Sequence, residues 1–245
     1  MKYIVTTLIL LFCNLSIAGP LSDLEKESTE EKQQPSYRSS NDSSESDSDS
    51  SGLVEFVFDV LIFGGANTAE RYTYQAPKEE GGLYREFGDP IQPMFRLQSN
   101  WFTGSQVDSH AYKFEAGMGP FGISYQKQSL QDNEDELDLS QFLFHYRMSF
   151  GNHVSWDIAF GQGKMKGESN HQGRVISLPA RIRLVDSVHF QYIPTFSDFG
   201  GESLNEYEFS LNWQKDHVGL TTGFKRTVSG DVAISGVFGG LFLNF

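Results

Sequence analysis

From Pro93 to Phe245 the chain alternates apolar and polar side chains with a period of two, and the alternation restarts after every polar break. Phe95, Leu97 and Trp101 alternate with Arg96, Gln98 and Asn100; Tyr112, Phe114 and Ala116 with Lys113 and Glu115; Phe121, Ile123 and Tyr125 with Gly122, Ser124 and Gln126. The same pattern returns in runs that open at Phe142, Val154, Ile176, Val188, Tyr207, Val218 and Val237, giving ten segments of about ten residues. A period of two places successive side chains on opposite faces of an extended strand, so each segment predicts a β-strand with one greasy and one polar face.

The links between segments alternate in length as well. Tight ones fall at residues 117–120, 151–152, 186–187 and 215–216, and longer polar ones at 104–109, 130–136, 164–173, 197–205 and 227–231. Short turns at one end and longer loops at the other predict an all-β, antiparallel, up-and-down transmembrane barrel of about ten strands. A ten-residue strand rises about 33 Å, and a tilt of about 45° reduces this to roughly 24 Å, close to the apolar band of membrane barrels.

Composition bears on which face points inward. The chain is 14% aromatic and carries 24 glycines, yet its mean hydropathy is −0.37. Arg96, Lys113, Glu115, His145, Arg147, Asp157, Arg181, Arg183, His189, Glu206, Glu208 and Lys225 all fall opposite the aromatic positions. A secreted β-sandwich or lipocalin-like barrel would turn the aromatics inward, but ten strands of Phe, Tyr, Trp, Leu and Ile overfill so small a barrel. The aromatic face is therefore expected to meet lipid, with a charged lumen. Within it Arg96, Lys113, Arg147, Arg181, Arg183 and Lys225 would neutralise Glu115, Asp157, Glu206 and Glu208. Acids outnumber bases 32 to 19, so no basic face exists to track nucleic acid.

The first part of the chain reads differently. Residues 1–18 combine Lys2, an apolar run and Ser16-Ile17-Ala18, the pattern of a secretory signal peptide. Cleavage there removes Cys13, the single cysteine, so neither a disulfide nor a thiolate metal site is expected. Residues 19–52 form an acidic, Ser-rich stretch with too little apolar surface to order itself, expected as a disordered linker. Its Asp42, Glu45, Asp47 and Asp49 match no calcium loop, and the Asn41-Asp42-Ser43 acceptor is close to chance. Residues 53–65 predict a short amphipathic helix with Ser51 as cap and Gly64-Gly65 as stop, lying at the periplasmic interface; 66–92 is a periplasmic connector and 93–245 the barrel. Residues 53–63 could instead be a strand and, with another at 71–75, make twelve.

The last strand ends Leu241-Phe242-Leu243-Asn244-Phe245. A terminal aromatic preceded by alternating apolar residues resembles the C-terminal β-signal of bacterial outer-membrane β-barrel proteins, a resemblance that covers residues 93–245. It implies a Gram-negative cell envelope, an N-terminal tether in the periplasm, and recognition of Leu241, Leu243 and Phe245 by the β-barrel assembly machinery. Outer-membrane lipids and lipopolysaccharide are the other implied partners.

Chemistry-bearing motifs are weak. Gly117 to Gly122 spells GxGxxG, but strand alternation follows it where a dinucleotide site needs a helix. Barrel hydrolases place a base and acid near the rim, and His171 with Asp198 and Glu202 would be the candidates here, though nothing in the sequence unites them. Asp132, Glu134, Asp135 and Glu136 could bridge divalent cations to lipopolysaccharide, against the simpler reading of a solvated acidic loop. No catalytic residue, metal ligand or cofactor is assigned. The residues favour a non-enzymatic barrel with an envelope-structural or surface-interaction role; a narrow channel for small solutes is the alternative, and an outer-membrane hydrolase a more distant one.

Overall fold

The computed structural model describes residues 21, 24, 59–66, 94–104, 107–132, 135–150, 153–167, 169–200 and 203–245. The signal peptide, the linker apart from Leu21 and Leu24, the connector beyond Ala66, the 71–75 segment, Gly151-Asn152, Glu134 and Glu202 lie outside these residues.

Eleven strand elements follow one another: β1 (Met94–Gly104), β2 (Asp108–Met118), β3 (Phe121–Gln131), β4 (Glu136–Phe150), β5 (Val154–Lys166), β6 (Asn170–Ser177), β7 (Ala180–Val185), β8 (Val188–Asp198), β9 (Ser203–Lys215), β10 (Val218–Ser229) and β11 (Val232–Asn244). Each pairs antiparallel with its neighbours, and β1 pairs with both β2 and β11, which closes the ring. Closure satisfies every strand's backbone ladder without leaving an edge, the condition for spanning a bilayer with strands. The ring closes without residues 53–63 or 71–75, so the twelve-strand alternative is incorrect, and residues 59–63 are helical.

The expected run from Ile176 to Leu184 appears as two elements, β6 and β7, separated by Leu178-Pro179. Pro179 has no N–H to give the ladder. The interruption shifts nothing: Ser177 faces Ala159 and Thr195, Ala180 faces Trp156 and Tyr192, and both registers carry through unchanged. The two elements form one stave, so the barrel has ten.

The longer loops are shorter than the sequence suggests. β5 runs to Lys166 and β6 begins at Asn170, so most of the expected 164–173 loop is hairpin; β8 and β9 likewise consume much of 197–205. Where outward positions turn polar the alternation fades, but the ladder continues beyond the apolar band. At Lys127 and Asp138 this outer extension carries an ion pair of 3.0 Å.

Face assignment follows the pleat. Trp101, Tyr112, Phe121, Phe142, Phe160, Leu220 and Val237 are among many large apolar side chains exposed on the outside, while Arg96, Glu115, His145, Arg147, Asp157, His189, Glu206 and Lys225 are buried within. A soluble protein does not sheathe itself in contiguous aromatics around a charged interior.

Helix α1 (residues 59–66) docks on the outer wall at the turn end. It runs through Gly64 and Gly65 instead of stopping there, because both glycines are contact points. A Cβ on Gly65 would lie 1.7 Å from the Tyr146 hydroxyl, and one on Gly64 would lie 2.8 Å from Met148 Cβ. Tyr146 donates its hydroxyl proton to the Leu61 carbonyl at 3.1 Å. Met148 belongs to the outward face by alternation, yet is fully buried beneath this helix.

Candidate functional site

The lumen is the chemically distinctive part of the molecule, and it is layered. Nearest the turns, three or four residues into their strands, lie Glu115 of β2, Arg147 of β4, Asp157 of β5 and Arg181 of β7. Arg147 Nη2 is 2.5 Å from Glu115 Oε1, and its Nε is 4.0 Å from Asp157. Arg181 bridges the same two acids at 3.4 and 3.5 Å, and Lys113 reaches Glu115 at 3.7 Å. The Arg147 guanidinium is seated between two inward glycines: a Cβ on Gly117 or Gly122 would come within 2.8 or 2.9 Å of it. Arg96 stacks over Phe242 at 4.0 Å from the ring centroid, a cation–π contact.

Midway along the barrel Lys225 Nζ lies 2.5 Å from Glu206 and donates to Gln128 Oε1 at 2.6 Å, while Gln141 donates to the second Glu206 oxygen at 3.0 Å. His145 pairs with Ser124 at 2.7 Å. These side chains leave two cavities of about 30 Å³ each, the space of one or two waters.

Toward the loops the lumen becomes apolar. Phe102, Val107, Leu130, Leu137, Leu139, Met165, Phe199, Leu204, Ile234 and Phe238 are buried together there, and Leu21 and Leu24 pack into the same cluster. The Leu21 N–H donates to the Asp132 carboxylate in the β3–β4 loop at 3.1 Å. Sequence reasoning missed this chamber. Its signal was present at Leu137 and Leu139, which share the inward parity of Gln141 and His145 but reverse its polarity.

The expected charge partners divide into those the fold unites and those it does not. Lys113, Glu115, Arg147, Asp157 and Arg181 meet in one cluster, and Lys225 meets Glu206 in another. Arg183 turns toward the turn end and pairs with the exposed Asp186 at 3.1 Å. Glu208 lines both cavities opposite Lys225 in register, with no ion pair within reach among the described residues. Of the rim candidates, His171 faces inward and Asp198 outward, so the wall separates them, while Glu202 lies outside the described residues. Asp132 accepts the Asp135 N–H at 2.8 Å as a loop brace. No acid or histidine cluster among the described residues could hold a metal ion.

At the C-terminus Phe245 exchanges backbone hydrogen bonds with Phe95, at 3.0 and 2.8 Å, and stacks on His217. Leu241, Leu243 and Phe245 all face outward.

No protein-family model matches the chain, and no curated protein matches it. Solved structures similar to it include the N-terminal β-barrel domain of Pseudomonas aeruginosa OprF, at 9% identity and TM-score 0.35, covering 63% of this chain and 98% of that one. Neisserial surface protein A matches at 11% identity and TM-score 0.33 over 62% and 96% of the two chains. Ail, the attachment invasion locus protein of Yersinia pestis, matches at 9% identity and TM-score 0.33 over 63% and 100%.

Proposed function

We propose that the chain is a small, non-enzymatic β-barrel of the bacterial outer membrane with a filled lumen and an envelope-structural or surface-interaction role. The observation that carries this is the ion-paired waist formed by Glu115, Arg147, Asp157 and Arg181, backed by Lys225 and Glu206. Charges paired this closely hold the lumen shut, since a solute would have to separate them in a poorly hydrated space. Cavities of about 30 Å³ favour this reading over the narrow channel. The separation of His171 from Asp198 by the barrel wall speaks against a rim hydrolase.

In this reading the turn end faces the periplasm, where α1 lies against the inner edge of the apolar band. The expected placement of the N-terminal tether on that side is at odds with its Leu21 and Leu24, which pack at the loop end. The outward, C-terminal Phe245 is the assembly signal read by the insertion machinery. Lys164, Lys166 and Arg174 stand exposed on the outer wall just beyond Phe160 and Ile176, a position suited to the anionic headgroups of lipopolysaccharide.

Cell fractionation tests the location. The protein should sediment with the outer membrane and migrate differently on gels before and after boiling, because a closed barrel resists unfolding in detergent. Recovery as a soluble periplasmic protein refutes it.

A further inference from the structure

The outer wall is not uniform. Large apolar side chains stand out from most of it, but across β9, β10 and β11 near the loop end a cavity of about 410 Å³ opens in its surface. That volume lies in the range of small-molecule sites. Phe209 and Phe224, opposite each other in register, line its lower part. One outward position nearer the loops stand Tyr207, Arg226 and Ser235, again level in register, and Asn205 and Val228 form the upper edge. The recess therefore changes from aromatic to polar as it rises toward the loops.

Arg226 is the unusual member of this lining. It lies between Lys225 and Thr227, which are buried in the lumen, so it points outward from a wall that faces lipid. Lys127, another outward cation near the loop end, has Asp138 at 3.0 Å. Arg226 has no ion pair among the described residues, and its register neighbours Tyr207 and Ser235 carry no charge. Its Nε is shielded from solvent and has no hydrogen-bond partner. A cation on the lipid side is tolerated near the interface, where an anionic headgroup can supply the acceptor. A guanidinium suits phosphate in particular, because its parallel N–H donors match two phosphate oxygens.

We propose that this recess binds one phosphorylated lipid of the loop-side leaflet, lipopolysaccharide in the orientation given above, with a phosphate on Arg226 and an acyl chain laid against Phe224 and Phe209. The site rests on the membrane-spanning reading. It is separate from Lys164, Lys166 and Arg174, which stand exposed on β5 and β6. Those cations attract headgroups collectively, whereas the recess fixes a single molecule by its phosphate and its chain together.

The test incubates the full mature chain, folded in a non-ionic detergent, with lipid A and weighs the complexes by native mass spectrometry. The wild type should retain one lipid A per barrel, lose lipid A stripped of its phosphates, and keep its lipid against excess inorganic phosphate. Arg226→Gln should weaken retention about tenfold. Ser235→Leu, which fills the recess and leaves Arg226 in place, should weaken it as well. The triple variant Lys164→Gln/Lys166→Gln/Arg174→Gln should retain its single lipid A as the wild type does. No retention by the wild type, or equal retention by Arg226→Gln, overturns the proposal. So does equal retention of the dephosphorylated lipid, which would leave only a hydrocarbon contact, or displacement by inorganic phosphate, which would make the recess a site for a free anion. Loss in the triple variant would move the lipid to β5 and β6 and overturn it too. A chain that gives no heat-modifiable barrel in detergent refutes the membrane reading itself, and the site with it.

Discussion

Truncating Arg147 to alanine strips the waist of its most buried cation. Its side chain is 2% exposed, as is that of Glu115, and that of Asp157 is 3% exposed. Removing one member of a dry buried ion pair costs about 3 to 5 kcal/mol, because the partner's charge stays behind without compensation. Here the loss is moderated. Arg181 remains 3.4 Å from Glu115 and 3.5 Å from Asp157, and Lys113 remains 3.7 Å from Glu115. Both acids keep a cation, so the lower end applies, about 3 kcal/mol, with lost packing between Gly117 and Gly122 acting in the same direction. Urea unfolding in phospholipid vesicles, followed by loss of heat-modifiable migration, measures it. A double-mutant cycle with Glu115→Gln then isolates the pairwise part. Lys127→Ala is the control, since its side chain is 49% exposed beside Asp138 and surface pairs contribute about 0 to 1 kcal/mol. A loss below about 1 kcal/mol for Arg147→Ala, with coupling near zero, would mean that water screens the waist and would refute the argument for a dry, closed lumen.

Lys225→Met should destabilise the barrel by roughly 3 kcal/mol by stranding Glu206, and adding Glu206→Gln should restore most of that in the same urea assay. Gly65→Val places a side chain against the Tyr146 hydroxyl; it should release α1 and raise hydrogen exchange at residues 59–66 while leaving the barrel's unfolding midpoint in place. Deleting Phe245 removes its two backbone bonds to Phe95 and should empty the membrane fraction of assembled barrel, whereas normal insertion would end its role as an assembly signal.

Strand number and facing were legible because a two-residue period has one structural solution, and the charged parity from Arg96 to Lys225 fixed which side was inside. Strand ends were not legible. At Lys164, Lys166, Gln172 and Arg174 the outward face turns polar, which resembles a loop in sequence although the backbone ladder continues. Partner choice was legible in part. Twelve inward polar and charged positions were visible, but whether Arg183 meets Glu115 or Asp186 depends on stagger around the barrel, which no single strand encodes. Arg96 resting on Phe242 was hidden for the same reason, as the aromatic comes from the far end of the chain. The glycines of α1 misled differently: a Gly-Gly pair signals a helix end, unless a neighbouring wall demands close approach, as Tyr146 and Met148 do here.

The claim that the lumen is closed by paired charge is tested most directly by electrical recording. The unmutated full-length mature protein, inserted in a planar bilayer, should carry no steady current, since Glu115, Arg147, Asp157 and Arg181 meet across its bore. Large, stable, ohmic conductance from that protein would contradict the account and establish the barrel as a channel.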